Sequence, residues 1–243
     1  PKLVEDPRNI SIEEKLELVK KYDEQIMSAP GIATANVVYS DIFREKFFVN
    51  SEGTEINEEL ITTRCVAGIT AKEGNLTQNV AFTSGGSDGF QHVRNHEEKI
   101  AEKIKLANEL LKAEPVKGGM YNVVLNPGLA GVFTHEAFGH FSEADIIDSL
   151  PAMRAKMYIG AEMGSEILNI VDDATLPNQL GFYKYDDEGV AVRRVQLIKN
   201  GILSGRLHSR RTAAEFGETL TGHNIAEDFQ YAPIIRMGTI YIE

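Results

Sequence analysis

The chain has 243 residues, is 42% hydrophobic and carries a formal net charge of −11 at pH 7, which allows one or two domains with a substantial core. No apolar run is long enough to span a bilayer, and the charged residues 1–6 lack the apolar segment of a secretion signal. Lys and Arg are scattered along the chain, which disfavours nucleic-acid binding. The single cysteine, Cys65, excludes an internal disulfide framework. Because this suits a reducing compartment, we predict a cytoplasmic protein.

The first half of the chain predicts helices packed on an antiparallel sheet. A capping box at Ser11–Glu14 opens an amphipathic helix, which Pro30-Gly31 ends. Strand-like segments separated by turn residues follow, and a second helix is predicted over 90–112. The predicted buried positions are Ile12, Leu16, Val19 and Ile26 on the first helix and Ile100, Ile104, Ala107 and Leu111 on the second. The predicted strands are 33–39, 46–50, 56–71 and 77–83. We therefore predict an α+β fold, with residues 1–115 as a helix and antiparallel-sheet region.

A polar stretch with Pro and Gly, residues 112–119, separates this region from a second α+β region over 116–243. Residues 121–125 read as a short buried strand, and Asn126-Pro127-Gly128 as a turn that starts a helix. Further on, Asn200-Gly201 separates two strand-like segments, 192–199 and 202–207. This dipeptide is typical of a type I′ turn, so the sequence predicts a β-hairpin there.

The predicted helix after residue 126 leads into His135-Glu136-Ala-Phe-Gly-His140, an HExxxH sequence. Two imidazoles beside a carboxylate suit a hydrolytic zinc site, in which His135 and His140 hold the metal. Glu136 would then take a proton from the water that the metal acidifies. On a regular helix residues i and i+5 lie about 140° apart, against about 40° for i and i+4. The helix must therefore end or widen between the two histidines, and we expect Gly139 to permit this.

The six residues alone do not distinguish a metal site from ordinary surface or core histidines, because a short motif predicts a site only in a fitting structural context. Two nearby carboxylates, Glu143 and Asp145, are candidates to accept a hydrogen bond from a metal-bound imidazole, or else form a polar helix end. His208 and His223 follow in a loop-rich region, where a surface role is favoured over a place near the metal. The aspartates at 172–173 and 186–187 are interpreted as turn residues.

The chain resembles the TldD/PmbA proteins, which are described as metallopeptidases and were once named modulators of DNA gyrase. The branch with HExxxH, TldD, is the most similar. The resemblance rests on Thr134–Asp145, Ile170–Ala174, Tyr185–Gly189, Leu197–Gly205, Thr221-Gly222 and Ala232–Met237, in the family's order. It implies a zinc-dependent peptidase with catalytic Glu136 and ligands His135 and His140. It also implies peptide-like substrates and assembly with a PmbA/TldE-like subunit or with a second copy.

The chain also departs from this family. TldD proteins are longer at both ends, so we expect residues 1–243 to match the middle of the family sequence, with 116–243 reaching into the start of its C-terminal domain. The resemblance implies a cysteine as third zinc ligand in a later region, and Cys65 does not match it. The chain alone would then bind zinc weakly and lack activity. Alternatives are a non-catalytic interaction or scaffold module of a TldD/PmbA complex, or a modulator of a nucleic-acid enzyme.

Overall fold

A computed structural model describes residues 2–243 and shows an α+β fold with antiparallel sheets, as predicted. The chain forms two compact units. Unit 1 comprises the residues up to 44 together with 59–121, and unit 2 comprises 45–58 and 122–243. None of the helices in the described part of the chain has the length and apolar character needed to cross a membrane.

Unit 1 contains two helices and most of a three-stranded sheet. Its elements are α1 (Ile12–Met27), β1 (Ile32–Val49), β2 (Glu55–Glu73), β3 (Leu76–Gly86) and α2 (Glu97–Leu110), with 3₁₀ turns at Pro7–Asn9 and Phe90–Val93. The strand order is β1-β2-β3, and β2 pairs with β3 in antiparallel register from Thr63 opposite Gly86 to Glu73 opposite Leu76. The outer ends of β1 and β2, residues 45–58, belong to unit 2.

The core of unit 1 follows from the two-residue period of β2. Alternate residues of this strand face inward, where Cys65, Ala67 and Ile69 are buried. Helices α1 and α2 cover this face, and buried side chains from both, including Tyr22 and Ile100, complete the cluster. The hydroxyl of Tyr22 donates a hydrogen bond to the carbonyl of Val93 at 2.8 Å and accepts one from the N–H of His96 at 3.2 Å.

Two sequence predictions in unit 1 need correction, the buried face of the first helix and the start of the second. Ile12 and Leu16 are 71% and 50% exposed, because α1 turns Leu18 and Tyr22 toward the sheet instead. The predicted burial of Ile26 is confirmed. The predicted second helix begins at Glu97 and not at residue 90, because Asn95 has φ of +58° and breaks the helical path. The predicted buried face of that helix is confirmed.

Unit 2 contains short elements around two sheets. The helices are α3 (Pro127–Thr134), α4 (His140–Ser142), α5 (Ala144–Ser149), α6 (Pro151–Lys156) and α7 (Arg210–Phe216). The strands are β4 (Ile170–Asp172), β5 (Val195–Lys199), β6 (Ile202–Leu203), β7 (Asn224–Ile225), β8 (Ile234–Ile235) and β9 (Ile240–Ile242). One sheet has the order β6-β5-β4-β9, all antiparallel, and β7 pairs with β8.

The predicted hairpin of unit 2 is confirmed, and the predicted strand at 121–125 is wrong. Asn200 and Gly201 have φ of +50° and +78°, as a type I′ turn requires, and connect β5 to β6. Residues 121–125 pair with no strand among the described residues, and Val123 and Val124 are 72% and 100% exposed. Apolar alternation favours a strand only where a neighbouring strand satisfies its backbone groups.

Candidate metal centre

The HExxxH sequence lies on a helix that widens at the motif itself. Asn126 caps the N-terminus of α3, because its side chain accepts a hydrogen bond from the N–H of Leu129 at 2.8 Å. Residues His135–Gly139 then form a π-helical turn, in which the N–H of His140 bonds to the carbonyl of His135, five residues back. The predicted widening between the two histidines is confirmed.

The π turn brings the three polar side chains of the motif together. The imidazole centroids of His135 and His140 are 4.8 Å apart with an interplanar angle of 85°. One candidate ligand atom from each of His135, Glu136 and His140 lies within 4.8 Å of the others. Within residues 2–243, this is the one group of three or more His, Cys, Asp or Glu side chains close enough to hold a metal ion.

Gly139 contributes to this turn through packing and not through unusual backbone freedom. Its φ of −54° and ψ of −48° are ordinary helical values, so the π turn does not use the positive φ that only glycine adopts readily. A Cβ atom at this position would collide with the sulfur of Met237 and lie 3.1 Å from Cδ1 of Ile240. The missing side chain lets the segment before β9 pack against the motif helix.

Glu143 is buried directly beneath His140. Its Oε2 lies 3.2 Å from Nδ1 of His140, and its side chain is 1% exposed. Burial raises the pKa of the Glu143 carboxyl, against the opposing effects of His140 and of Arg236, whose Nη1 lies 3.7 Å away. The other oxygen, Oε1, has no hydrogen-bond partner among the described residues. This carboxylate is therefore placed to orient the imidazole of His140.

The backbone around Glu143 is held by strand-like pairing with residue 207. The N–H of Leu207 donates to the carbonyl of Ser142 at 2.9 Å, and the N–H of Ala144 donates to the carbonyl of Leu207 at 3.1 Å. These two bonds place Glu143 in an extended conformation between α4 and α5. The backbone that carries the Glu143 carboxylate is therefore fixed by these two hydrogen bonds.

Asp145, the other candidate carboxylate, has different partners. One of its oxygens accepts a hydrogen bond from the N–H of Ile146 at 2.9 Å, and the other accepts one from the N–H of Ile235 at 3.2 Å. It therefore joins the start of α5 to β8. The structure places Glu143 against a motif histidine, and it gives Asp145 no contact with either histidine among the described residues.

The two later histidines are buried, so the favoured surface role is wrong for both. His208 and His223 are 1% and 0% exposed, and neither joins the motif cluster in the described part of the chain. Nε2 of His223 lies 3.0 Å from Oδ1 of Asp172, which also accepts the N–H of Gly238. Asp172 thus ends β4 in a buried pair and is not a turn residue. Its partner lies 51 positions away, a separation for which the sequence gives no local signal.

The turn interpretation of Asp186 is confirmed. Its Oδ1 accepts hydrogen bonds from the N–H groups of Glu188 at 3.0 Å and Val190 at 2.8 Å, and its Oδ2 accepts one from Asn224. Burial raises the pKa of Asp186, against these backbone hydrogen bonds. The residue closes a turn and does not take part in the motif cluster.

Comparison with known proteins matches nearly the whole chain. A family profile described as the PmbA/TldA metallopeptidase central domain matches residues 5–114, and one described as the PmbA/TldA metallopeptidase C-terminal domain matches residues 118–243. A protein named metalloprotease from Methanocaldococcus jannaschii is 40% identical over 241 residues, covering 98% of this chain and 52% of that protein. A protein named zinc metalloprotease TldD homolog from Saccharolobus solfataricus is 32% identical over 240 residues, covering 97% and 53%. The chain spans about half the length of these relatives.

Two solved structures share the fold. A protein from Thermotoga maritima, described as a proposed modulator of a DNA gyrase, has a TM-score of 0.86 at 22% identity. The match covers all of this chain and 54% of the Thermotoga chain. TldE from Thermococcus kodakarensis has a TM-score of 0.66 at 20% identity, covering 100% and 55%. At these identities the two structures show that the fold is shared, and they do not establish which reaction the chain carries out.

Proposed function

Since the chain belongs to the TldD/PmbA family, we propose that it carries the metal centre of a zinc-dependent peptidase that hydrolyses small or unfolded peptides. The observation that carries this proposal is the π turn, which brings His135, Glu136 and His140 together although their spacing would separate them on an α-helix. The names of the metalloprotease relatives support the reaction class.

The side chains fit zinc in type and in distance. Two nitrogen ligands of a tetrahedral zinc ion are about 3.3 Å apart, given zinc–nitrogen distances of about 2.0–2.1 Å. The ligand atoms here lie within 4.8 Å of one another, so small side-chain rotations bring them into range. Because Glu143 faces Nδ1 of His140, the opposite nitrogen, Nε2, is the one available to a metal ion. Neutral imidazoles with a carboxylate beneath them are a common zinc environment.

The residues of this chain would have separate roles in the reaction. A zinc ion at this site would supply a Lewis acid that acidifies water and polarises a peptide carbonyl. His135 and His140 would hold the ion, and Glu143 would keep His140 oriented, with its Nδ1–H directed at the buried carboxylate. Glu136 is exposed and accepts the proton of the attacking water, then delivers it to the departing amine. General acid–base help of this kind contributes roughly 10²–10⁴-fold to a rate.

The proposal also includes a third metal ligand and a partner, which the family resemblance implies, and a cellular location. We include in the proposal a third ligand, a cysteine from outside residues 1–243, because Cys65 is buried in the core of unit 1. We include a cytoplasmic location, which rests on the sequence alone. We also include a TldE-like partner or second copy, and the fold shared with TldE supports this part of the proposal. With two histidines in the described cluster, this chain alone would be weak in zinc binding and in activity.

The test separates metal binding from proton transfer with two substitutions at neighbouring positions. Protein extended to the length of the relatives is loaded with zinc and given an unfolded peptide substrate, and cleavage is followed by mass spectrometry. Glu136→Gln should retain zinc and lose about 10²-fold or more in kcat. His135→Ala should lose both zinc and cleavage. Full activity in Glu136→Gln would remove the glutamate from the mechanism.

A further inference from the structure

A polar cavity of about 360 Å³ lies in unit 2 beside the segment that connects β6 to α7. Three arginines line it, Arg193, Arg194 and Arg206, against one carboxylate, Glu218. The lining carries three arginines against one glutamate, and Glu243 pairs with Arg194 from outside the lining, so one positive charge is left in excess in a chain whose net charge is −11. A cationic concavity on an acidic protein raises the local concentration of anions.

The floor of this cavity is a fixed ion-pair cluster. Glu218 bonds to Nη1 of Arg206 and lies 3.0 Å from Nε2 of His208. Burial alone would raise the pKa of Glu218, but the hydrogen bond from His208 and the charge of Arg206 outweigh it, so the pKa is lowered. Arg206 is 4% exposed and also donates to the carbonyl of Met157, while its Nε has no acceptor within residues 2–243. Two partners hold this guanidinium in place, and its Nε is shielded from solvent.

The rim of the cavity carries a cation that no carboxylate of the described chain neutralises. Arg194 pairs with Glu243 at 2.6 Å, but Arg193 has no ion-pair partner within residues 2–243. An arginine presents a planar fork that matches a carboxylate in a bidentate manner. The volume lies near the lower end of ligand sites, about 300 Å³, so it suits the end of a peptide better than a larger ligand.

The cavity is tied through the backbone to the candidate metal centre. The residues on its floor, Arg206 and His208, flank Leu207, and Leu207 pairs with the segment that holds Glu143 under His140. In an extended segment neighbouring side chains point to opposite sides, so Leu207 enters the core while Arg206 and His208 face the cavity. We propose that the cavity binds the carboxylate at the C-terminal end of a peptide. The assignment of the peptide as substrate rests on the proposed function.

The test measures binding without cleavage. Metal-free protein in a chelating buffer is titrated with three fluorescent pentapeptides: a free acid, its C-terminal amide, and a variant of that amide in which the last residue is replaced by Glu. We expect the free acid to bind about tenfold or more tightly than the plain amide. Arg193→Gln should reduce this preference to about twofold, and Arg193→Lys should retain part of it. The matched control is Arg64→Gln, which removes an exposed arginine from β2 in unit 1 and should leave the preference unchanged.

If the amide ending in Glu binds as tightly as the free acid, the assignment to the C-terminal carboxylate is overturned. Equal binding of all three peptides, absence of binding, or a preference that persists in Arg193→Gln would overturn the proposal. Because the assay contains no metal, it is independent of the proposed peptidase activity. If the wild-type protein shows no preference for the free acid but still cleaves peptides with zinc, only the proposal for the cavity is refuted. A retained preference without zinc binding at His135 and His140 would refute the peptidase and leave the cavity standing.

Discussion

Replacing Glu143 with glutamine should weaken zinc binding to this chain by about tenfold. The carboxylate lies 3.2 Å from Nδ1 of His140 and is almost completely shielded from solvent, so its charge is poorly screened. A hydrogen bond to a charged group contributes about 1.5–3 kcal/mol, and a neutral amide oxygen retains about half of that. The remaining loss of about 1.4 kcal/mol corresponds to a factor of ten. Glu143→Ala removes the whole contact and should cost up to about 100-fold.

The assay is a competition titration of zinc against a chromophoric chelator, with Asp145→Asn as the matched control. Asp145 contacts two backbone N–H groups and neither motif histidine, so its replacement should change zinc affinity by less than about threefold. Unchanged zinc affinity in both Glu143 variants would refute the role assigned to this carboxylate.

Thermal unfolding of the metal-free proteins separates an effect on zinc from an effect on folding. Burial raises the pKa of Glu143 in the folded state above its unfolded value. The sign follows from linkage: stability is fully present below the unfolded pKa and is lost as pH rises through the folded one. Glu143→Gln has no such ionisation. Its Tm relative to wild type should therefore increase as pH is raised from the acidic range toward neutrality.

Three further predictions concern the fold. Burial raises the pKa of the Cys65 thiol to about 11, so about 0.1% is thiolate at pH 8, and a thiol reagent should label it only after denaturation. Gly201→Ala should destabilise unit 2 by about 3 kcal/mol, measured by urea unfolding, because φ is +78° and a Cβ would meet backbone atoms of a neighbouring loop. The matched change Gly53→Ala has φ of +84° but free space, and should cost about 1 kcal/mol. Tyr22→Phe leaves a buried carbonyl and a partly buried N–H without their partner and should lower stability by about 1–3 kcal/mol in the same assay.

The features that the sequence predicted correctly depend on local geometry. The turn at Asn200-Gly201 requires positive φ at two successive positions, which these residue types adopt readily. The widening of the motif helix follows from the five-residue spacing of two side chains that must meet. The contact of Glu143 with His140 lies within three residues of the motif, so spacing alone brought it into consideration.

The features that were missed depend on contacts distant in sequence. The buried pair of His223 and Asp172 joins residues on separate elements, and an isolated histidine in a loop-rich segment favours a surface interpretation. The apolar alternation at 121–125 is a genuine strand pattern, but a strand needs a neighbour that satisfies its backbone. The need for glycine at 139 is set by Met237 and Ile240, which reach the motif helix only in the folded chain.

The most direct test of the metal centre is zinc stoichiometry after controlled loading. Metal-free wild type, His140→Ala and the control His92→Ala are equilibrated with a slight excess of zinc, desalted and analysed by elemental mass spectrometry. His92 is the control because it pairs with Asp88 and lies outside the motif cluster. The three proteins are extended to the length of the relatives, so that the proposed third ligand is present. We expect zinc in wild type and in His92→Ala, at up to one equivalent, and none in His140→Ala. Equal zinc in all three proteins, or none in any, would contradict a centre built on His135 and His140.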